Sequence, residues 1–502
     1  RLGIILQLMI FFILTIIVIG LSYYYLFKRN ANYWTSRDVI QETRGTSLGT
    51  LWDFIVGDRS LAEICKGIYD KYQNEPFVGL LWGSKTALLI REPELIQHVL
   101  TSDFQNFNSR GFVTNPKNDL LSDNVLFLED VQKWKLIRQK VSPVFTSSRL
   151  KNMFYILQHC GRDFVGFVHQ NLKEDPFSLL YTYTTASIGS AVFGIDTKAH
   201  NQMNSPFLEM SIKSVSPSFI NNIRFFIGNL SVTLFNLMKI KMFGDHEDFF
   251  IGVVKNVLRE RQAETQKRHD FIDLCLDLQK NGAMKDPGSG YELEPTDELL
   301  AAQAYFFFLA GADTSANTMN FVLIELAHNP DILAQLQKEI DATYNKSKDP
   351  SFDDIDKLEY LDMVVNEAMR KYPPIGILQR RCTNTTILPI GNLKVEKDVM
   401  VIIPVFAIHR DKKYYENPEV YDPERFRGKA ASSNAKYTYL PFGEGNRVCL
   451  GKLYKIVGIA SLLRHFTLKP EAPTPNIFER SFFSIRSSEK NYYSIHRRAV
   501  AA

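Results

Sequence analysis

The stretch between Thr296 and Pro330 constrains the fold more than any other part of the sequence. It is apolar over most of its length, and no proline interrupts it. Thr296 is a good N-cap, the acids at 297 and 298 suit the positive end of a helix, and Pro330 ends it. At about 1.5 Å per residue such a helix spans ~50 Å, enough to cross a whole domain. The sequence therefore predicts a long central helix.

Helical patterns dominate the rest of the chain, and strands are minor. Short β-like runs occur at Phe77–Leu81 and Ala87–Ile90, and residues 280–295 contain Gly and Pro and predict a loop. Gly391-Asn392 predicts a small hairpin sheet between Ile387 and Ile403. The predicted fold class is mainly α with small β-sheets, an α+β arrangement. The other predicted helices cover residues 134–192, 243–280, 330–344 and 358–371.

The N-terminal segment predicts a membrane anchor. Leu2 to Phe27 contains no charged residue, and at about 1.5 Å per residue it exceeds the ~30 Å hydrocarbon core of a bilayer. A cleaved signal peptide would have a shorter apolar region, and a mitochondrial transit peptide would be amphipathic. Tyr23–Tyr25 form an aromatic belt at the end of the segment, and Lys28 and Arg29 follow it, which indicates that this end of the segment lies on the cytosolic side of the membrane. We predict a single-pass anchor at 1–27 in the endoplasmic reticulum and one cytosolic catalytic domain at 28–502.

Composition excludes several classes of function. The formal net charge of +4 gives no reason to expect nucleic-acid binding. The five cysteines are widely spaced and include no CxxC pair, so a disulfide scaffold is disfavoured. Neither an HExxH motif nor a Cys/His cluster is present, which argues against a zinc site.

The most informative motif is the glycine-rich segment Phe442–Gly451, which contains Cys449. A lone cysteine is most often a small buried apolar residue, and Gly443-x-Gly445 alone is a weak dinucleotide signal because the third glycine is missing. Here the cysteine lies in a loop that opens a helix, where backbone amides stabilise a thiolate and glycine lets the backbone approach a flat ligand. Arg447 is placed to take up an anionic group of that ligand.

This segment resembles the haem-binding loop of the cytochrome P-450 superfamily, and the resemblance extends over nearly the whole chain. It implies that Cys449 is the axial ligand of the iron of haem b, with a thiolate that favours O–O cleavage. Phe442 would pack beside the sulfur, Gly443 and Gly451 would belong to the loop, and Arg447 would bind a haem propionate.

Further motifs of the family follow in the same order along the chain. Trp134-x-x-x-Arg138 resembles its WxxxR motif, and both side chains would reach propionates from one helix face. Arg380 resembles another propionate-binding arginine, although neighbouring Arg381 leaves the register open. The family's ExxR network would consist of Glu367, Arg370 and Arg425.

The long helix carries the segment Ala310–Thr314, which resembles the oxygen-activation site of the family. The plainer interpretation is a core helix in which the threonine bonds back to its own helix carbonyl. The resemblance implies that Ala310 and Thr314 face the haem, that a kink at Gly311 leaves room for dioxygen, and that Thr314 hydrogen-bonds it. Asp313 would help to deliver protons, in a position where the family often has Glu.

The flanking sequences 300–311 and 140–151 are most similar to insect microsomal members that oxidise plant toxins and insecticides. One departure is that residues 30–50 contain no proline, so the usual hinge after the anchor is missing. The resemblance implies an apolar pocket for lipophilic small molecules, lined by Phe112, Val113, Phe306, Phe307, Ile375 and Leu378.

The predicted activity is a haem-thiolate monooxygenase that inserts one atom of O2 into a lipophilic substrate. Electrons would come from an NADPH-dependent diflavin reductase, since the chain has no second redox motif. Two alternatives share the fold: an oxygen-independent isomerase or dehydratase, and a non-catalytic haem protein that binds lipophiles. A basic patch could dock the reductase, although scattered surface lysines are more often only solvated. Its candidate residues are Lys133, Lys135, Lys140, Lys452 and Lys455.

Overall fold

The fold is known from a computed structural model of the chain. Its description covers residues 10, 12–22, 24, 32–42, 54, 59–83, 85–194, 209–210, 220, 223–224, 227–228, 231–264, 267–428, 436–451, 456–476, 478–479, 484–487 and 491–498.

The predicted anchor at 1–27 lies only partly within these residues. Residues 12–22 are helical, and the large apolar side chains along them, such as Phe12 and Leu21, are exposed. Within the described ranges, no helix is both long enough and apolar enough to cross a bilayer.

Helices make up most of the described chain, as predicted. We number them α1 to α14. They are α1 (Leu61–Lys71), α2 (Pro93–Gln97), α3 (Val131–Val141), α4 (Ser147–Gln170), α5 (Pro176–Phe193), α6 (Val232–Leu237), α7 (Glu247–Gln262), α8 (Phe271–Lys280), α9 (Asp297–His328), α10 (Pro330–Lys346), α11 (Phe352–Asp356), α12 (Glu359–Lys371), α13 (Val405–Ile408) and α14 (Ile456–His465).

Helix α9 is the long central helix that the sequence predicts. The Thr296 hydroxyl accepts a hydrogen bond from the Leu299 amide at 3.3 Å and caps its start, and Pro330 opens the next helix. Two hydrophobic clusters both take side chains from α9, one including Tyr305 and the other Phe321. Burial of apolar surface on both sides fixes this helix in the centre of the fold.

The strands form one small mixed sheet and three two-stranded pairs. The strands are β1 (Phe77–Trp82), β2 (Lys85–Ile90), β3 (Met284–Lys285), β4 (Glu292–Leu293), β5 (Leu378–Arg381), β6 (Thr386–Ile387), β7 (Lys394–Val395), β8 (Met400–Ile403), β9 (Phe466–Pro470) and β10 (Tyr493–Arg497). The four-stranded sheet has the order β1-β2-β8-β5, with β2 and β8 parallel and the other neighbours antiparallel. The pairs are β9 with β10, β3 with β4, and β6 with β7.

Two strand predictions need correction. The predicted hairpin around Gly391-Asn392 is confirmed for β6 and β7, and both turn residues have positive φ. The same prediction is wrong for β8, which joins β2 and β5 in the larger sheet. The predicted loop at 280–295 contains the short pair β3 and β4.

Candidate active site

One face of α9 is open in an otherwise buried helix. From Leu299 to Ala327 every residue is buried except 306, 309, 310, 311 and 314. Positions 306, 310 and 314 follow each other at intervals of four, so they lie on one side of the helix. We call this partly exposed side the open stripe, and it carries the predicted haem-facing residue Ala310 and the predicted catalytic residue Thr314.

Thr314 and Asp313 have different partners. The Thr314 hydroxyl donates to the carbonyl of Ala310 at 2.7 Å, which is the plainer arrangement that the sequence allowed. The Asp313 carboxylate is buried and accepts from Arg486 at 2.5 Å and from Asn317 at 3.1 Å. Burial raises the pKa of Asp313, whereas Arg486 and Asn317 favour its charged form.

Gly311 permits a close approach between two helices. A Cβ atom at this position would lie 2.5 Å from Cδ1 of Ile188 on α5. The hydrogen-bonded helix continues without a break from Asp297 to His328. The glycine therefore serves close helix packing here, and the kink at Gly311 stays a prediction.

The segment Phe442–Gly451, which we call the cysteine loop, is held in a conformation that two of its glycines make possible. Gly443 and Gly445 have φ of +68° and +74°, and a Cβ at Gly445 would lie 2.1 Å from the carbonyl oxygen of Leu100. The thiol of Cys449 is exposed, and the amide of Gly451 donates to its sulfur at 3.4 Å. An N–H group directed at the sulfur stabilises a thiolate.

Four arginines converge beside this loop, and we call them the arginine cluster: Arg110, Arg138, Arg380 and Arg447. Arg138 donates to the carbonyl of Val448 at 2.6 Å, and Arg110 donates to that of Arg447 at 3.0 Å. The Arg447 guanidinium lies 4.2 Å from the ring centre of Trp134. The structure thus brings together four of the residues that the sequence predicts to bind the cofactor: Trp134 and Arg138 on α3, Arg380 on β5 and Arg447 in the cysteine loop.

The cluster contains more positive charge than its protein partners neutralise. In the described part of the chain, none of the four guanidinium groups has a carboxylate within 4.0 Å. Nε of Arg380, and Nε and Nη1 of Arg447, are buried without a hydrogen-bond partner. Burial lowers the pKa of Arg380 to about 10, and burial together with Arg380 lowers the pKa of Arg447 to about 9.

The neighbours Arg380 and Arg381 differ in their partners. Arg380 is 3% exposed and donates only to the adjacent carbonyl of Gln379. Arg381 is paired with Glu129 at 2.7 Å and with Asp398 at 2.9 Å. Alternate residues of a strand point to opposite faces, which puts these two side chains in separate environments.

In the predicted Glu367 network, Glu367 and Arg370 are fully buried and Arg425 is partly buried. Arg370 donates to both carboxylate oxygens of Glu367, at 2.7 and 2.8 Å, and to the carbonyl of His409 at 2.8 Å. Arg425 Nε lies 3.4 Å from the same carboxylate. His409 connects this network to the cysteine loop, since its Nδ1 donates to the Arg370 carbonyl and its Nε2 accepts from the amide of Leu440.

The predicted pocket residues occupy different positions. Phe306 lies on the open stripe, whereas Phe307 is 7% exposed and packs against Phe145 and Phe271, with ring centres 4.9 and 5.2 Å away. Phe112 packs against Phe127 at 5.2 Å. Of the remaining candidates, Leu378 approaches the Gly443 position with its Cδ1, Ile375 forms a β-bridge with Ser484, and Val113 lies beside Gly228.

Two of the proposed docking lysines are already paired. Lys133 lies 2.6 Å from Asp123, and Lys135 lies 3.5 Å from Asp286. Lys452 and Lys455 fall outside the described residues.

Sequence reasoning missed four residues at this site: Arg110, Glu129, His409 and Arg486. Arg110 was detectable, because it stands in a Ser-Arg-Gly segment next to Phe112. No local signal pointed to the others, whose partners are distant in sequence.

Comparison with known proteins agrees with this geometry. A family model described as cytochrome P-450 matches residues 43–495. The chain is 32% identical over 477 residues to cytochrome P-450 6B7 of Helicoverpa armigera, with 92% of each chain covered. It is 33% identical over 454 residues to probable cytochrome P-450 6a21 of Drosophila melanogaster, covering 88% of this chain and 90% of that protein. It is also 31% identical over 491 residues to cytochrome P-450 6k1 of Blattella germanica, with 93% of each covered.

Proposed function

The chain belongs to the cytochrome P-450 family and is a haem monooxygenase that depends on a reductase; from this premise we propose that Cys449 is the axial thiolate and that lipophilic foreign compounds are the substrates. Plant toxins and insecticides are the candidate foreign compounds, and endogenous lipids or hormones are the alternative class of substrate. The neighbouring possibilities, an oxygen-independent isomerase or dehydratase and a non-catalytic lipophile-binding protein, are not supported by these relatives.

The arginine cluster is the observation that carries this proposal. Haem b has two propionate carboxylates, and Arg380 and Arg447 have buried nitrogen atoms without partners beside the cysteine loop. An unpaired buried guanidinium is costly, and a carboxylate offsets that cost through charge-assisted hydrogen bonds. The residues present fit haem, with Trp134, Arg110 and Arg138 completing the set that would hold the propionates.

Cys449 would hold the iron through its sulfur, and Phe442, Gly443 and Gly451 would shape the loop around it. Haem, when bound, supplies the iron at which dioxygen is activated with electrons from the reductase. The amide of Gly451 stabilises negative charge on the sulfur, and the thiolate donates electron density that favours O–O cleavage.

Thr314 would hydrogen-bond dioxygen beside the open stripe of α9, and Asp313 would help to deliver protons to it. The Thr314 hydroxyl keeps its oxygen available as an acceptor while its proton is held by the Ala310 carbonyl. Arg486 pairs with the Asp313 carboxylate and offsets part of the increase in its pKa that burial causes. An acid next to a hydroxyl provides a route by which protons reach the site from the protein.

The substrate would lie against the apolar side chains of the open stripe. Phe306 and Ala310 on α9, with Leu378 on β5 and Phe112, would offer aromatic and aliphatic contacts. Such walls select lipophilic molecules by burial of apolar surface. Phe307 would support Phe306 from behind, through its packing with Phe145 and Phe271.

The electron donor in this proposal is the NADPH-dependent diflavin reductase of the endoplasmic reticulum membrane, to which residues 1–27 would anchor the chain. The domain at 28–502 would then face the cytosol. In this proposal Lys133 and Lys135 would leave their ion pairs with Asp123 and Asp286 and bind acidic side chains of the reductase. Lys140, Lys452 and Lys455 would complete the docking patch.

Replacement of the two central side chains tests the proposal. We expect Cys449→Ser to abolish the thiolate-type spectrum of the reduced carbonyl complex. Thr314→Ala should keep that spectrum, while oxygen consumption with reductase and NADPH becomes largely uncoupled from product. An unchanged spectrum in the Cys449→Ser variant would contradict the ligand assignment, and coupled turnover in the Thr314→Ala variant would contradict the role of the hydroxyl.

A further inference from the structure

We infer that Glu129 is a positioning residue that holds the segment Ser109–Val113, and with it Phe112, against the substrate pocket. The inference rests on the proposed function for the pocket itself. Glu129 directly precedes Asp130, the N-cap of α3, so its backbone is fixed by the helix that carries Trp134 and Arg138.

One carboxylate makes three contacts that join separate parts of the fold. Oε1 of Glu129 accepts from the Gly111 amide at 3.2 Å, and Oε2 accepts from the hydroxyl of Ser109 and from Arg381 at 2.7 Å. These contacts connect the start of α3, the segment and β5. Both charged side chains are about one-third exposed, at 29% and 32%, so they are shielded from much of the solvent.

Backbone contacts extend the attachment on both sides of Gly111. The amide of Arg381 donates to the carbonyl of Ser109 at 2.9 Å, and the Gln379 side chain donates to that of Arg110 at 2.9 Å. Gly111 has a φ of +73°, and a Cβ there would lie 2.6 Å from Met400. The segment is therefore pressed against β5 and β8 in a conformation that few residues adopt.

This attachment fixes the direction of two neighbouring side chains. Arg110 enters the arginine cluster, where it donates to the carbonyls of Leu126 and Arg447. Phe112 packs against Phe127 at 5.2 Å. Loss of the Glu129 contacts releases the Gly111 amide next to Phe112, while Arg110 retains its hydrogen bonds to the carbonyls of Leu126 and Arg447.

The chain offers a matched control. Arg381 is paired with Asp398 at 2.9 Å, nearly the same distance as with Glu129, but the Asp398 side chain is 63% exposed and its ion pair lies away from the segment. Asp398→Ala therefore removes an ion pair from the same arginine while the contacts of Glu129 with Ser109 and Gly111 stay in place.

The test compares two azole probes in the purified, haem-loaded protein. Imidazole is small and reports access to the iron, whereas clotrimazole is bulky and also reports the pocket walls. We expect Glu129→Ala to weaken clotrimazole binding by about fivefold, the effect of one ordinary hydrogen bond, because Glu129 acts on the pocket only through the position of Phe112. Imidazole affinity and the reduced carbonyl spectrum should not change, and Asp398→Ala should match the original protein for both probes.

Unchanged clotrimazole affinity in Glu129→Ala would overturn the inference. So would an equal loss for both probes with a damaged carbonyl spectrum, because that would make Glu129 a support of the haem site. If Glu129→Ala does not fold, Glu129→Gln serves instead, since it keeps an acceptor for Gly111 and removes the charge that Arg381 requires. Absence of a thiolate spectrum in the unaltered protein would refute the proposed function and is distinguishable from all these results.

Discussion

Two groups of buried arginines lie within this fold and differ in how they are neutralised. Arg370 has a partner for each of its donating nitrogen atoms, two of them on Glu367, and both side chains are fully buried. Arg380 and Arg447 are nearly as deeply buried, but within the described part of the chain they keep nitrogen atoms without hydrogen-bond partners. Arg370 with Glu367 and His409 forms what we call the complete group, because the protein itself supplies its partners. Arg380 and Arg447 form the incomplete group, and we propose that the propionates of haem complete it.

The largest effect should follow from disruption of the complete group. Glu367→Ala leaves the Arg370 charge buried and unpaired, so we expect the free energy of unfolding to fall by about 3–5 kcal/mol. Denaturant unfolding measures this change. The control is Glu424→Ala, which breaks the exposed pair with Arg427 and should leave the unfolding curve unchanged. A small loss in Glu367→Ala would remove the distinction between the two groups.

Substitution in the incomplete group should act on haem retention. Arg447→Ala removes a buried charge that has unpaired nitrogens, so the haem-free chain should lose no stability. Loss of a charge-assisted contact to a propionate, worth about 1.5–3 kcal/mol, should weaken haem retention by about 10- to 100-fold. Transfer of haem to excess apomyoglobin measures it. Arg464→Ala, which affects an arginine already paired with Asp341 at 2.9 Å, should retain haem normally.

The smallest effect concerns the pH dependence of the complete group. Burial lowers the pKa of His409 from 6.5 to about 3, so only the unfolded chain binds its proton between these values. Stability is therefore fully present above pH 6.5 and decreases as the pH falls towards 3, by up to about 1.4 kcal/mol per pH unit. His409→Gln should show a flatter profile in denaturant titrations between pH 7 and pH 5. Parallel profiles would mean that His409 does not titrate in this range.

Local sequence patterns were sufficient for much of the fold. Thr296 and Pro330 marked the ends of α9, and Gly391-Asn392 marked the β6–β7 hairpin, because caps and tight turns depend on a few adjacent residues. The position of β8 could not be predicted, since its pairing with β2 joins residues some three hundred positions apart. Hydrophobic pattern alone does not specify such a partner.

The candidate site shows the same division. The motif containing Cys449 could be recognised in the sequence because its residues are consecutive. The structure places Arg138 and Arg447 beside it. The partnership of Asp313 with Arg486 was not readable, because the two side chains are separated by 173 positions and meet only in the folded chain. Phe306 and Phe307 are neighbours of the same type, and only helix packing distinguishes the one that borders the open stripe.

The contact between Gly311 and Ile188 has an evolutionary consequence. The side chain at 188 occupies the volume that a side chain at 311 would need. The two positions should therefore change together among related proteins, with a larger residue at 311 accompanied by a smaller one at 188. A compensating pair of this kind would reshape the part of α9 that carries Ala310 and Thr314 through a change in its packing against α5.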